Sequence, residues 1–189
     1  MKNKFPLLIL LLFALNSLYS QRQIAGIEVP KQLTYLSETE LDLYGVGVRK
    51  FLWMDMYVGA IFLSNNKDRP KEIIEANEHM GMRLHILSSL VSNKRIIKAI
   101  EDGFQKSTDG NLSKYQSRIN KMVSFFEGEI SPGDIIDMVY SKESSKTQVF
   151  LNKKKLGEID GLDFKRALFG VWLSNDPIDK SLKQQMLGS

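Results

Sequence analysis

The segment from Leu41 to Leu63 restricts the fold more than any other part of the chain. It is crowded with Val, Tyr, Phe, Trp and Ile and is interrupted by Gly45 and Gly47. Such residues fit a pleated, half-buried surface. We read the segment as two strands, about Leu43–Lys50 and about Trp53–Leu63, joined by a tight turn. Glycines inside strands mark a bulge or a close approach of another backbone.

Elements of both kinds follow. Gln23 to Val29 is β-prone and ends at Pro30. Arg69-Pro70 opens a short helix carrying Ile73, Ile74 and Ala76. Met82, Leu84 and Ile86 alternate with Arg83, His85 and Leu87, the pattern of a strand with one buried face. Ser92 is placed to cap a helix whose Ile96, Ile97, Ile100 and Phe104 share a side. Leu112, Tyr115, Ile119, Met122 and Phe126 mark the next helix at spacings of three and four. Pro132-Gly133 is a turn, followed by strands at Asp134–Ser141, Thr147–Leu151 and Lys155–Ile159, the last two forming a hairpin around Asn152–Lys154. Phe164, Ala167, Leu168, Val171 and Trp172 predict an amphipathic helix. Asp176-Pro177 predicts the start of a final helix that Gly188 ends. Strands, helices, strands and helices in that order, without βα alternation, indicate α+β with a largely antiparallel sheet.

The first twenty residues read as a separate unit. A basic head, Met1-Lys2-Asn3-Lys4, precedes the apolar run Phe5–Leu15, and small residues lead to Ser20. This is the plan of a secretory signal peptide, and 11 apolar residues are too few for a bilayer-spanning helix. Cleavage is expected after Ser20, with Ser17 as the alternative, leaving residues 21–189 as one domain in the periplasm or outside the cell. No membrane span is expected in that mature form.

Without Lys2 and Lys4, 24 Lys and Arg face 22 Asp and Glu, and the one basic run is Lys153-Lys154-Lys155 at a hairpin tip. Nucleic-acid binding is therefore not indicated. The chain has no cysteine, which excludes disulfides, thiol catalysis and thiolate metal sites. His79 and His85 fall in different elements, so no metal site is expected. Gly45-Val46-Gly47 lacks the third glycine and the helix of a dinucleotide fingerprint. No cofactor is suggested. Asp134 and Asp137 lie three apart, facing opposite sides of a strand, and read as turn or solvated carboxylates.

Arg49 is the residue that this elimination leaves. It ends the glycine-broken strand, either as an exposed strand-end charge or pointing into a cavity between sheet and helices. In a cavity it needs an acidic or carbonyl partner, because an unpaired buried charge is costly. A ligand carboxylate or oxyanion suits its planar fork.

Gly45-Val46-Gly47-Val48-Arg49, followed by Met56-Tyr57-Val58-Gly59-Ala60-Ile61-Phe62-Leu63, resembles the signature of the chalcone isomerase-like family, and its exported bacterial branch most of all. The resemblance continues through Ile97–Phe104, Pro132-Gly133-Asp134, Val149–Gly157, Gly161–Leu173, Asp176-Pro177 and Leu182–Leu187. It implies an open-faced β-sandwich, a curved antiparallel sheet with helices on one face and an apolar cleft between them. True isomerases of this family close a flavanone ring, whereas fatty-acid-binding relatives hold an acyl chain in the same cleft.

Carried over by residue, the resemblance makes Arg49 the contact for a ligand oxyanion or carboxylate. Tyr57 stands where isomerases have threonine and fatty-acid binders have tyrosine, which favours binding over isomerisation. Arg95 and Asp102 stand nearest to a ligand-contacting tyrosine and asparagine of true isomerases. The interval from Arg49 to Tyr57 is shorter than in plant members. The expected function is thus a non-catalytic protein holding a small apolar carboxylate such as a fatty acid, or a polyphenol-like ligand. The first alternative is an intramolecular lyase acting on a chalcone-like enone. The second is an interaction protein presenting the C-terminal helices around Trp172 and Leu182.

Overall fold

The computed structural model describes residues 22–36, 39–65, 69–108 and 110–188. The expected signal peptide, residues 1–20, lies outside them. A small hairpin, β1 (Arg22–Ile24) and β2 (Ile27–Val29), precedes a seven-stranded antiparallel sheet. Its strands are β3 (Gln32–Leu36), β4 (Thr39–Phe51), β5 (Met54–Leu63), β6 (Met80–Ile86), β7 (Ile135–Ser141), β8 (Lys146–Leu151) and β9 (Lys154–Asp160), side by side in chain order. Helix α1 (Pro70–Glu75) joins β5 to β6. Helices α2 (Asn93–Ser107) and α3 (Gln116–Ser124) join β6 to β7, and α4 (Leu162–Leu173) and α5 (Lys180–Leu187) follow β9.

The sheet curls into a half-barrel, and one tyrosine measures the curl. Tyr35 of β3 stacks on Phe150 of β8 with ring centroids 4.1 Å apart. On a flat sheet those strands, five steps apart, would be separated by roughly 24 Å. The same Tyr35 donates to Asp137 Oδ2 at 2.6 Å, while Arg83 grips that carboxylate through Nε at 2.7 Å and Nη2 at 3.0 Å. Burial and the neighbouring carboxylate push the Tyr35 phenol above its ordinary value, so it stays a donor. Asp137 is fully buried, which corrects its reading as a solvated or turn carboxylate. The strand pattern predicts one buried face for β6, but the curl covers the second face of the sheet too, with a core of Val46, Val58, Phe62, Val139 and Phe150. Asp134 is a turn residue as read, accepting from Ser131 N–H at 2.7 Å.

All five helices pack on the other face. Helix α4 is buried almost all round, including Lys165, Phe169, Gly170 and Leu173, because neighbouring helices cover the side that its pattern leaves to solvent. Lys165 is fully buried. Its ammonium donates to the carbonyls of Ile73, Ile74 and Ala76 at 2.9, 2.8 and 3.0 Å, the unpaired acceptors at the end of α1. Burial brings its pKa down to about 8.

Helix α5 approaches the sheet more closely than side chains would permit. A Cβ on Gly45 would lie 1.8 Å from the carbonyl oxygen of Met186, and one on Gly47 would lie 2.6 Å from Gln185 Cβ. These glycines clear a strip for a helix. Gln185 then pairs with the backbone of Val48, accepting from its N–H at 2.9 Å and donating to its carbonyl at 3.4 Å. The helix starts later than predicted. Asp179, not Asp176, is the cap, accepting from Leu182 N–H at 2.9 Å, and Gly188 closes the helix in the left-handed conformation with φ 70°.

Two hairpin turns carry unusual residues. Asn152 and Lys153 both have positive φ, 50° and 69°, as a two-residue turn of type I′ requires. Between β4 and β5 the turn is Leu52-Trp53, with Leu52 at φ 56°, where glycine is favoured and a leucine costs about 1–2 kcal/mol.

Two outcomes follow for stability. Gly45→Ala is expected to lose about 1–3 kcal/mol in urea unfolding, because Met186 presents backbone rather than a yielding side chain. Lys165 binds its proton less tightly when folded than when unfolded. Between pH about 8 and its ordinary 10.5 the unfolded chain therefore holds a proton that the folded chain has released. Wild-type stability should rise through that window relative to Lys165→Met, as read by thermal melts of both chains at pH 7, 9 and 10.

Candidate functional site

The register of β4 and β5 sets Arg49 directly opposite Tyr57, and a shift at Lys50 skips Met56. Arg49, Met56 and Tyr57 all line a cavity of about 540 Å³ between the sheet and helices α2, α3 and α4. Its walls are apolar, with Leu84 and Ile86 of β6, Ile136 and Met138 of β7, and Leu168 and Val171 of α4.

Tyr57 is fixed by its neighbours. Trp172 Nε1 donates to its hydroxyl oxygen at 3.1 Å, and the Arg49 guanidinium carbon lies 5.7 Å from its ring centroid, within cation–π range. Burial pushes the phenol above its ordinary value, even though Arg49 and the indole pull the other way. Tyr57 is therefore neutral at physiological pH. Its oxygen accepts from the indole, and its own proton is available to an acceptor in the cavity.

Arg49 is half-buried, and its Nε is buried without a hydrogen-bond partner. The nearest acid, Asp179, places Oδ2 3.9 Å from that nitrogen, close enough to balance charge and too far for a hydrogen bond. The other carboxylate oxygen holds the α5 cap. Asp179 thus balances the arginine's charge without bonding its Nε.

Arg95 and Asp102 line the same cavity from α2, but both are exposed and committed elsewhere. Arg95 donates to the Leu90 carbonyl at 2.9 Å, and Asp102 pairs with Lys98 at 2.9 Å. The structure thus brings the four candidates together in two tiers, Arg49 and Tyr57 inside, Arg95 and Asp102 at the rim. Ser92 occupies the α2 cap position without a side-chain bond. Asn93 anchors the helix instead, donating to the Phe126 carbonyl at 2.6 Å and accepting from Ile130 N–H at 3.2 Å.

Sequence reasoning missed Trp172 and Asp179 as parts of the site. A tryptophan on a buried helix face signals a partner for its N–H, whereas nothing local marks Asp179. Trp172 and Leu182 are buried, so they form no exposed partner face. Among the described residues there is no group of three His, Cys, Asp or Glu that could hold a metal, and no helix long and apolar enough to cross a membrane. Asp179→Ala should cost about 1 kcal/mol through the lost cap, and Asp179→Asn close to nothing, since asparagine caps as well. Urea unfolding of the two variants separates the cap from the charge.

A family model described as chalcone isomerase-like matches residues 21–188. Among solved structures, the fold is similar to the crystal structure of a fatty-acid binding protein from Arabidopsis thaliana. The TM-score is 0.67 at 17% sequence identity, with 86% of this chain and 92% of that chain covered. A sequence search of curated proteins finds no match. At that identity the structural likeness speaks for the fold, which is the curled sheet and one-sided helix layer that the resemblance implied. With the model match spanning residues 21–188, the chain belongs to the chalcone isomerase-like family.

Proposed function

We propose that this is an exported, non-catalytic protein that binds a small apolar carboxylate, such as a fatty acid, with Arg49 as its anion contact. The observation that carries the reading is the buried Arg49 Nε without a hydrogen-bond partner, next to a protonated Tyr57 in the wall of an apolar cavity. A cavity of about 540 Å³ falls in the range of small-molecule sites. Each buried methylene contributes ~0.8 kcal/mol, and a charge-assisted hydrogen bond to the carboxylate adds ~1.5–3 kcal/mol. After the costs of association, a medium acyl chain reaches micromolar affinity. The fatty-acid binding named for the Arabidopsis structure supports the ligand class. Export, to the periplasm or beyond, rests on the leader pattern of residues 1–20.

An intramolecular lyase acting on a chalcone-like enone would use the same cavity, with Arg49 stabilising developing enolate charge. Tyr57 in place of threonine ranks that reading second.

Titration calorimetry with palmitate and its methyl ester tests the proposal. Arg49→Ala should weaken palmitate by about tenfold or more and leave the ester unchanged. Asp179→Asn should tighten palmitate, because the negative charge 3.9 Å from Arg49 Nε is gone. Equal affinity of the wild-type protein for acid and ester would overturn the role of Arg49.

A further inference from the structure

We infer that the hairpin tip Phe51-Leu52-Trp53 is a membrane-insertion point that sets the cavity mouth against a lipid bilayer. An acyl acid then passes between bilayer and cavity without crossing bulk water. The cargo in this inference rests on the carrier reading, whereas the docking does not.

Phe51, Leu52 and Trp53 are 53%, 69% and 82% exposed, and they are the exposed large hydrophobics among the described residues. They are consecutive, with Phe51 ending β4 and Leu52 and Trp53 forming the two-residue turn to β5. Leu52 holds φ 56° there, at a position where glycine would relieve the backbone and remove the apolar side chain. Phe51 also lines the cavity that holds Arg49 and Tyr57, so the tip adjoins the cavity. Trp53 suits the headgroup level, where tryptophan concentrates at membrane interfaces.

The occupant follows from shape and charge. Three side chains on a convex point fall short of the ~800 Å² per partner that a stable protein interface buries, which argues against a second copy. A bilayer interface accepts a wedge without needing a matching groove. Lys50 and Lys98 have side chains 63% and 73% exposed, and the exposed Arg95 lines the mouth. These cations suit anionic headgroups. Asp55 lies 3.4 Å from Lys50 and Asp102 lies 2.9 Å from Lys98, so the charge is partly neutralised. Insertion is driven mainly by the apolar side chains and strengthened by anionic lipid.

The test uses vesicles of phosphatidylcholine, with and without phosphatidylglycerol, and reads flotation and tryptophan emission. The chain has two tryptophans, and Trp172 is buried in the cavity wall, so the part of the change on adding vesicles that Trp53→Phe abolishes reports Trp53. Wild-type emission is expected to shift to the blue with neutral vesicles and further with anionic ones. The double variant Leu52→Asp/Trp53→Asp, with Phe51 kept, should lose vesicle partition by about tenfold or more. Its affinity for cis-parinaric acid in vesicle-free buffer should stay within about twofold of wild type. Unmoved wild-type emission, or equal flotation of the two chains, overturns the inference. So does a concentration-dependent doubling of mass, without lipid, that the double variant abolishes, since the tip would then belong to a second copy. Vesicle partition without parinaric-acid binding by either chain would confirm the docking and remove the cargo.

Discussion

The site depends on a helix resting against bare backbone. Gly45 and Gly47 remove the side chains that would hold α5 away from β4, and the pairing of Asp179 with Arg49 takes its position from that contact. The start of α5 is fixed by Asp179, and Asp179 is fixed because its carboxylate caps the helix. The carboxylate that balances Arg49 is therefore placed by the packing of a helix one element away. On the same strand Arg49 lines the apolar cavity, with its Nε buried and without a hydrogen-bond partner.

Much of this was legible in the sequence because it is local. The Leu41–Leu63 pattern predicts two strands and a tight turn, although it takes the register shift at Lys50 to set Arg49 across from Tyr57. The glycines predict close backbone approach, and α5 is what approaches. The α+β order and the turn at Pro132-Gly133 follow from equally short-range signals, with Gly133 at φ 95°.

The features that escaped are those made by distant residues. Asp137 looks like a solvent carboxylate until the curl brings Tyr35 over it, from 102 positions away in the chain. Lys165 reads as the polar side of an amphipathic helix, yet the carbonyls it satisfies belong to a segment about 90 residues earlier. Asp176-Pro177 carries the stronger local signal for a helix start, but the helix begins where Asp179 can reach the Leu182 N–H. Charged residues are where a one-dimensional pattern is least reliable, because their burial depends on partners that the pattern does not contain.

The amide of Gln185 has one more consequence. Past Leu43 the outer edge of β4 no longer pairs with β3, and an uncovered strand edge is a template for another chain's strand. Gln185 presents one acceptor and one donor to Val48, as a paired strand residue would. A side chain thus stands in for a missing strand and guards the longest strand of the sheet against runaway edge-to-edge assembly.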